Sequence, residues 1–338
     1  MQASESIVGT APDGKKLRRF TLSNTRGMRV TAISLGATLT EVSVPDRGGT
    51  AANVTLAHAP LERYVRNTEF FGCIAGRFAN RIAAGRFSLE GREYTLARNN
   101  GANHLHGGNR GFDKANWKAK IIRRADAAGI RWTHTSPDGD EGYPGTLKVT
   151  ADYVLTEDNT LSFEYWAVTD RPTPVNLTNH SYWNLAGAGS GTILAQEIAF
   201  NCPFYLPVDA GFIPTGEVLK TAGTPFDFSI AKSIGRDIAG VPGGYDHCLV
   251  IAKNAGAVGL AATARDPASG RSMQVWTTTP GMQFYTANFL EGNPYPRNAG
   301  FCLETQMFPD SVNQGHFPSC ILRPGETWHH LTVHKFSA

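Results

Sequence analysis

No apolar run in this chain of 338 residues approaches the roughly 20 residues that a membrane-spanning helix needs, so a bilayer is not an expected partner. The N-terminal stretch likewise lacks the apolar core of a secretory signal. Charge of one sign is scarce as well. Lys plus Arg total 32 against 29 Asp plus Glu, a net charge of +3, and only Lys15, Lys16, Arg18 and Arg19 cluster. Nucleic acid binding needs a concentrated basic face, and none is spelled here. Cysteine is sparse too. Cys73, Cys202, Cys248, Cys302 and Cys320 are odd in number and widely spaced, with neighbours such as Phe71, Ile74, Leu249 and Leu303. They read as reduced, buried, small hydrophobes rather than a disulfide framework, which favours cytoplasmic residence; a periplasmic or secreted chain trimmed of its leader would look the same.

Cofactor signatures are also missing. Gly9, Gly14 and Lys15 nearly spell a phosphate loop, but Lys16 replaces the hydroxyl residue that would hold magnesium, and no apolar strand precedes it. Gly187, Gly189 and Gly191 are followed by no helical pattern, so they suggest a mobile loop rather than a dinucleotide site. No G-x-S-x-G, H-E-x-x-H or paired C-x-x-C occurs. His329 and His330 are adjacent in a strand-like run and would point to opposite faces, which is unsuited to chelation. No metal and no nucleotide cofactor is expected.

What is abundant is punctuation and alternation. Thirty-six glycines and 19 prolines divide the chain into short segments that alternate with period two, as half-buried strands do. Leu147, Val149, Ala151, Tyr153 and Leu155 form one such run; Leu161, Phe163 and Tyr165 form the next, with Glu157, Asp158 and Asn159 as the turn between them. Phe87–Leu89 with Tyr94–Leu96, joined through Glu90 and Gly91, predict a second hairpin, and Met273–Thr277 with Gln283–Tyr285 a third. Only Leu61–Arg66 and Ile230–Ile238 could be helical. With no repeat and no linker, residues 1–338 read as one all-β domain, a large antiparallel β-sandwich with few short helices.

Five polar clusters interrupt this apolar pattern: Gly76–Ile82, Asn103–Gly108, Asn176–Leu185, Gly244–His247, and Pro280–Tyr285 with Phe301–Gln306. Ionisable groups in such surroundings cost energy unless paired or useful. Amides, carboxylates, Arg and aromatic rings together suit a neutral sugar, whose hydroxyls need polar partners and whose C–H patches need ring faces. Each residue also has a structural alternative. Glu304 could pair with a core Arg, Asp246 could cap a turn, Arg81 could be an ion-pair partner, Gln283 a satisfied amide and His180 a bonded core histidine. His104 reads as the structural member beside His106.

In this order, the five clusters resemble the aldose 1-epimerases of the galactose mutarotase family. The likeness includes Leu105-His106-Gly107-Gly108, Gly111-Phe112-Asp113-Lys114, the stretch from Pro207-Val208-Asp209 to Ile213-Pro214-Thr215-Gly216, and Pro280-Gly281 before Gln283-Phe284-Tyr285. Departures are small: Trp183 stands where Phe is common, and Cys248 follows Asp246-His247 where members vary. The resemblance implies a galactose-mutarotase-like β-sandwich and interconversion of the α and β anomers of free aldohexoses such as galactose and glucose, without a cofactor, in a monomer or homodimer. It implies His180 as general acid, Glu304 as general base, and Asn80, Arg81, His106, Ser181, Tyr182, Asp246 and Gln283 as sugar ligands. Nearby carboxylates are expected to keep His180 protonated near neutral pH. A glycoside hydrolase using Asp246 and Glu304, a noncatalytic carbohydrate-binding module and a hexose 6-phosphate epimerase are the rivals. The last would call for more cations than Arg77 and Arg81.

Overall fold

Alternation along the sequence becomes alternation across sheets in the computed structural model, which describes residues 1–338. The two runs around Glu157–Asn159 form strands Leu147–Thr156 and Thr160–Thr169, with Tyr153 opposite Phe163 and their rings edge to face at 4.7 Å. They are central to a nine-stranded antiparallel sheet. Its order runs Lys118–Arg123, Ala127–Ser136, Leu147–Thr156, Thr160–Thr169, Trp328–Ser337, Ser272–Thr277, Gly259–Arg265, Glu197–Phe200, Lys232–Ser233. The first five strands of the chain, from Gln2–Thr10 to Ala51–Asn53, make an antiparallel meander. A second five-stranded sheet runs Leu219–Lys220, Phe204–Tyr205, Asp246–Val250, Gly281–Tyr285, Cys302–Gln306.

The core lies where these sheets face one another. Phe20 of the meander meets Trp132 of the large sheet at 5.3 Å, and Phe200 of the large sheet meets Phe284 of the second five-stranded sheet at 5.0 Å. Burying each such side chain contributes about 1.5–3 kcal/mol, enough to fix how the layers dock. All five cysteines are buried free thiols. On Trp328–Ser337, His329 is exposed and His330 buried, as opposite faces require.

The hairpin Arg86–Leu89 with Arg92–Thr95 forms as read, but the third expected hairpin does not. Ser272–Thr277 pairs with Gly259–Arg265 and Trp328–Ser337, whereas Gly281–Tyr285 pairs with Asp246–Val250 and Cys302–Gln306 in the other sheet. Residues 278–280 carry the chain across: the Thr278 N–H donates to Leu331 O and Pro280 O accepts from the Ile251 N–H, each at 3.0 Å. Alternation fixes which face a residue takes, not which strand it pairs with. The helical readings shrink as well. Leu61–Val65 is a 3₁₀ turn, and the span 230–238 contains the short strand Lys232–Ser233 ahead of a 3₁₀ turn at Ile238–Gly240. Ile230 is 81% exposed, so the span has no continuous apolar stripe to bury as a helix. No helix is long and apolar enough to cross a membrane.

Candidate active site

Register in the second five-stranded sheet gathers the first set of polar residues. Asp246, Tyr285 and Cys302 sit opposite one another on one rung, and Cys248, Gln283 and Glu304 on the next. Residues in register share a face, so all six point the same way, while Leu249, Met282, Phe284 and Leu303 turn to the core. The Gln283 amide donates to Asp246 Oδ1 at 2.7 Å, and Arg81 Nη1 lies 3.6 Å from Asp246 Oδ2. Both oxygens of Asp246 are therefore held.

Two short ribbons supply the facing wall. In one, Arg81–Ile82 pairs with His104–Leu105, which puts Asn80 and His106 side by side at its end. The Asn80 N–H donates to His106 Nδ1 at 3.1 Å, and the Asn80 side-chain oxygen accepts from the Arg81 N–H at 2.8 Å. Both residues have left-handed backbone, φ +65° at Asn80 and +49° at His106, a conformation that costs about 1–3 kcal/mol each outside glycine. The adjoining Gly107, at φ +89°, admits no other residue: a Cβ there would lie 1.9 Å from Gly76 O. In the second ribbon, Thr178–Asn179 pairs with Ile74–Ala75, and His180 follows with its N–H bonded to Cys73 O.

These elements enclose a cavity of about 690 Å³ lined by Asn80, Arg81, His106, His180, Tyr182, Asp246 and Glu304. His180 Nε2 and Glu304 Oε2 face each other at 3.6 Å, with Cys302 Sγ 3.7 Å behind His180 Nδ1. Two expected ligands lie off the wall. The Ser181 hydroxyl donates to Asn179 Oδ1 at 2.5 Å, away from the cavity, and Gln283 stands behind Asp246. His104 is buried against Ala97 O and the Tyr143 hydroxyl, as its structural reading requires. Arg77 is also outside: its guanidinium is spent on the carbonyls of Ser136, Pro137, Pro144 and Gly145. The cavity thus holds one guanidinium against the carboxyls of Glu69, Asp246, Glu291 and Glu304, which is unsuited to a phosphate dianion.

Sequence reasoning missed Phe70, Asn100, Phe212 and Phe289, all in loops without periodicity. Asn100 accepts from Arg81 Nε at 3.0 Å, and Phe212 carries the same guanidinium over its ring at 4.8 Å. Phe212 does sit inside the Pro207–Gly216 stretch already singled out, which was the one available signal.

Protonation differs from the sequence expectation. Burial removes water from both catalytic candidates: it lowers His180 to about 4, and burial with the neighbouring Asp246 charge raises Glu304 to about 8, against a smaller opposing effect of Arg81. At neutral pH the resting pair is therefore an imidazole and a carboxylic acid, not an imidazolium and a carboxylate. Desolvation outweighs the attraction on which the expectation rested. Burial, with the His180 and Arg81 charges beyond it, likewise pushes His106 well down. With Nδ1 accepting from Asn80, neutral His106 carries its proton on Nε2, as a donor. Among the nine candidate site residues, Glu304 Oε2 and Gln283 Oε1 are the buried polar atoms with no protein partner. His106, His180 and Glu304 each offer one ligand atom within 4.8 Å of the others, so this trio could also hold a divalent cation.

A profile of the family described as aldose 1-epimerase matches residues 18–335. A galactose mutarotase of Sus scrofa is 44% identical over 348 residues, spanning 100% of this chain and 99% of its own. An aldose 1-epimerase of Escherichia coli K12 is 39% identical, with 97% of each chain covered. Among solved structures, a galactose 1-epimerase from Lactobacillus acidophilus NCFM superposes with a TM-score of 0.88 at 29% identity, over 99% of this chain and 98% of the other.

Proposed function

The chain belongs to the aldose 1-epimerase family, and on that premise we propose that Glu304 and His180 are the base and acid by which it interconverts sugar anomers. The substrate is a small free sugar. Ring opening removes the proton from O1, adds one to O5 and breaks the C1–O5 bond; half a turn about C1–C2 and the reverse transfers give the other anomer. O1 and O5 are bonded to the same carbon, so acid and base have to be close neighbours. The 3.6 Å gap between His180 Nε2 and Glu304 Oε2 is the observation that carries this reading.

The pair holds one proton throughout. In the resting site that proton is on Glu304, the distribution that follows ring opening, when Glu304 has taken the O1 proton and His180 has given one to O5. A bound cyclic sugar donates hydroxyls to the unpartnered Glu304 Oε2, which favours the carboxylate and moves the proton to His180, ready for O5. Arg81, His106 and Asp246 hold the remaining hydroxyls, with Asn80 fixing His106 and Gln283 fixing Asp246. Asp246 keeps lone pairs for accepting hydroxyls but is a poor candidate for a hydrolase acid or nucleophile, because Gln283 and Arg81 each already fix one of its oxygens. Galactose and glucose are the aldoses we put forward as substrates, with residues 1–338 acting as one domain in a monomer or homodimer.

Polarimetry of freshly dissolved α-galactose and α-glucose tests the assignment. Glu304→Gln and His180→Asn each lower kcat by about 10²–10⁴, and because the two groups act in one event the double variant is little worse than the poorer single. A folded Glu304→Gln protein with parental turnover would assign the base elsewhere.

A further inference from the structure

The segment Asn67–Gly72 is built to aim one ring. Phe70 has φ +60°, a left-handed backbone that is a true outlier for a bulky residue. The conformation is locked from both sides. The Phe71 N–H donates to Asn67 Oδ1 at 2.9 Å, the Phe70 N–H to Asn67 O at 3.1 Å, and the Gly72 N–H to His180 O at 2.9 Å. The half-buried ring of Phe70 stacks on His180 at 5.9 Å and 28°, and tilts against His106 at 4.7 Å. On the segment's other side, the Lys114 ammonium lies 5.4 Å from the ring centroid and is paired with the buried Asp113 carboxylate.

We infer that Phe70 is a positioning residue of the reaction: its ring clamps the His180 and His106 imidazoles and keeps water from the acid, and the Lys114–Asp113 pair pins that ring. The inference rests on the reading of His180 as the acid. It gives a role to Asp113 and Lys114, which line no part of the cavity. The imidazole of His180 is surrounded by Glu304 Oε2 at 3.6 Å, Cys302 Sγ at 3.7 Å, the His106 ring at 5.0 Å, the Tyr182 ring at 5.1 Å and Phe70. Arg81 and Asp246 stand beyond Glu304. Among the rings and groups around His180, Phe70 is the one carried on the 67–72 loop, so trimming it opens that side to water.

Phe70→Ala is expected to lower kcat by about 10- to 100-fold with a smaller change in KM, as misplacement of a reacting group does. The acid limb of its pH profile moves upward from about 4 toward the ordinary imidazole value of 6.5, and the His180 ring C–H resonance titrates in parallel. Phe70→Tyr, which keeps the ring, restores both, and Lys114→Met gives a smaller change in the same direction. If folded Phe70→Ala keeps the parental limb and the parental His180 titration, whatever its kcat, the inference is overturned. Full activity of His180→Asn would instead sink the acid reading itself, and so separates the two failures.

Discussion

Glu304→Gln is expected to stabilise the fold at alkaline pH while removing turnover. The Glu304 carboxyl ionises at about 8 in the folded protein against 4.5 in an unfolded chain. A group whose folded pKa is raised contributes stability that is complete below the unfolded value and is lost as pH rises through the folded one. Each pH unit of that interval costs about 1.4 kcal/mol, so over the span from 4.5 to about 8 the loss has an upper bound of about 5 kcal/mol, with a few kcal/mol expected once the site relaxes. Glutamine has no acidic proton to lose and matches the size and shape of the protonated carboxyl. At about 2 °C per kcal/mol for a chain of this size, Glu304→Gln should melt within a degree or two of the parent near pH 5 and several degrees above it near pH 8.5. Differential scanning fluorimetry across that range, with polarimetry on the same samples, is the assay. A variant that melts below the parent at every pH, by the margin of a broken buried ion pair, would show that Glu304 is already a carboxylate facing an imidazolium, and would refute the desolvation argument.

The pair's proton count predicts the rate profile: below about 4 it gains a second proton and loses its base, and above about 8 it loses its only proton and with it the acid, so kcat/KM follows a bell with a broad plateau. A flat profile would mean that neither group titrates in the reaction. Arg81→Ala and Asp246→Ala should each raise KM by about 10- to 100-fold, the worth of a hydrogen bond to a charged group, with less effect on kcat; unchanged KM in both would make the pair structural. Exhaustive chelation should leave turnover intact, since the two proton transfers need no Lewis acid, whereas activity lost and restored by added metal would make His106, His180 and Glu304 ligands.

Much of this molecule was legible because period-two patterns carry facing information. The run Leu303-Glu304-Thr305-Gln306 puts Glu304 on the face opposite Leu303 before any partner strand is known. Partner choice was not legible, which is why Ser272–Thr277 and Gly281–Tyr285 looked like neighbours yet belong to different sheets. Of the nine candidate site residues, seven line the cavity. Ser181 and Gln283 do not, because a residue type in a motif says nothing of whether its hydroxyl or amide is consumed locally, as Ser181 is by Asn179. Loop aromatics such as Phe70 and Phe289 escaped because their placement depends on backbone turns, not on any repeat in the sequence. Protonation states escaped for a further reason: they depend on how much water the finished fold excludes.

His180 arrives on a two-stranded ribbon and Glu304 in the second five-stranded sheet, and no hairpin joins them. They share no ladder, so the 3.6 Å gap exists only once the ribbon has seated against the sheet. Enzymatic activity is consequently a clock for that docking. During refolding, the β-sheet circular dichroism can recover while the solution still mutarotates at the uncatalysed rate, and the lag between the two signals measures how late in folding the ribbon seats against the sheet.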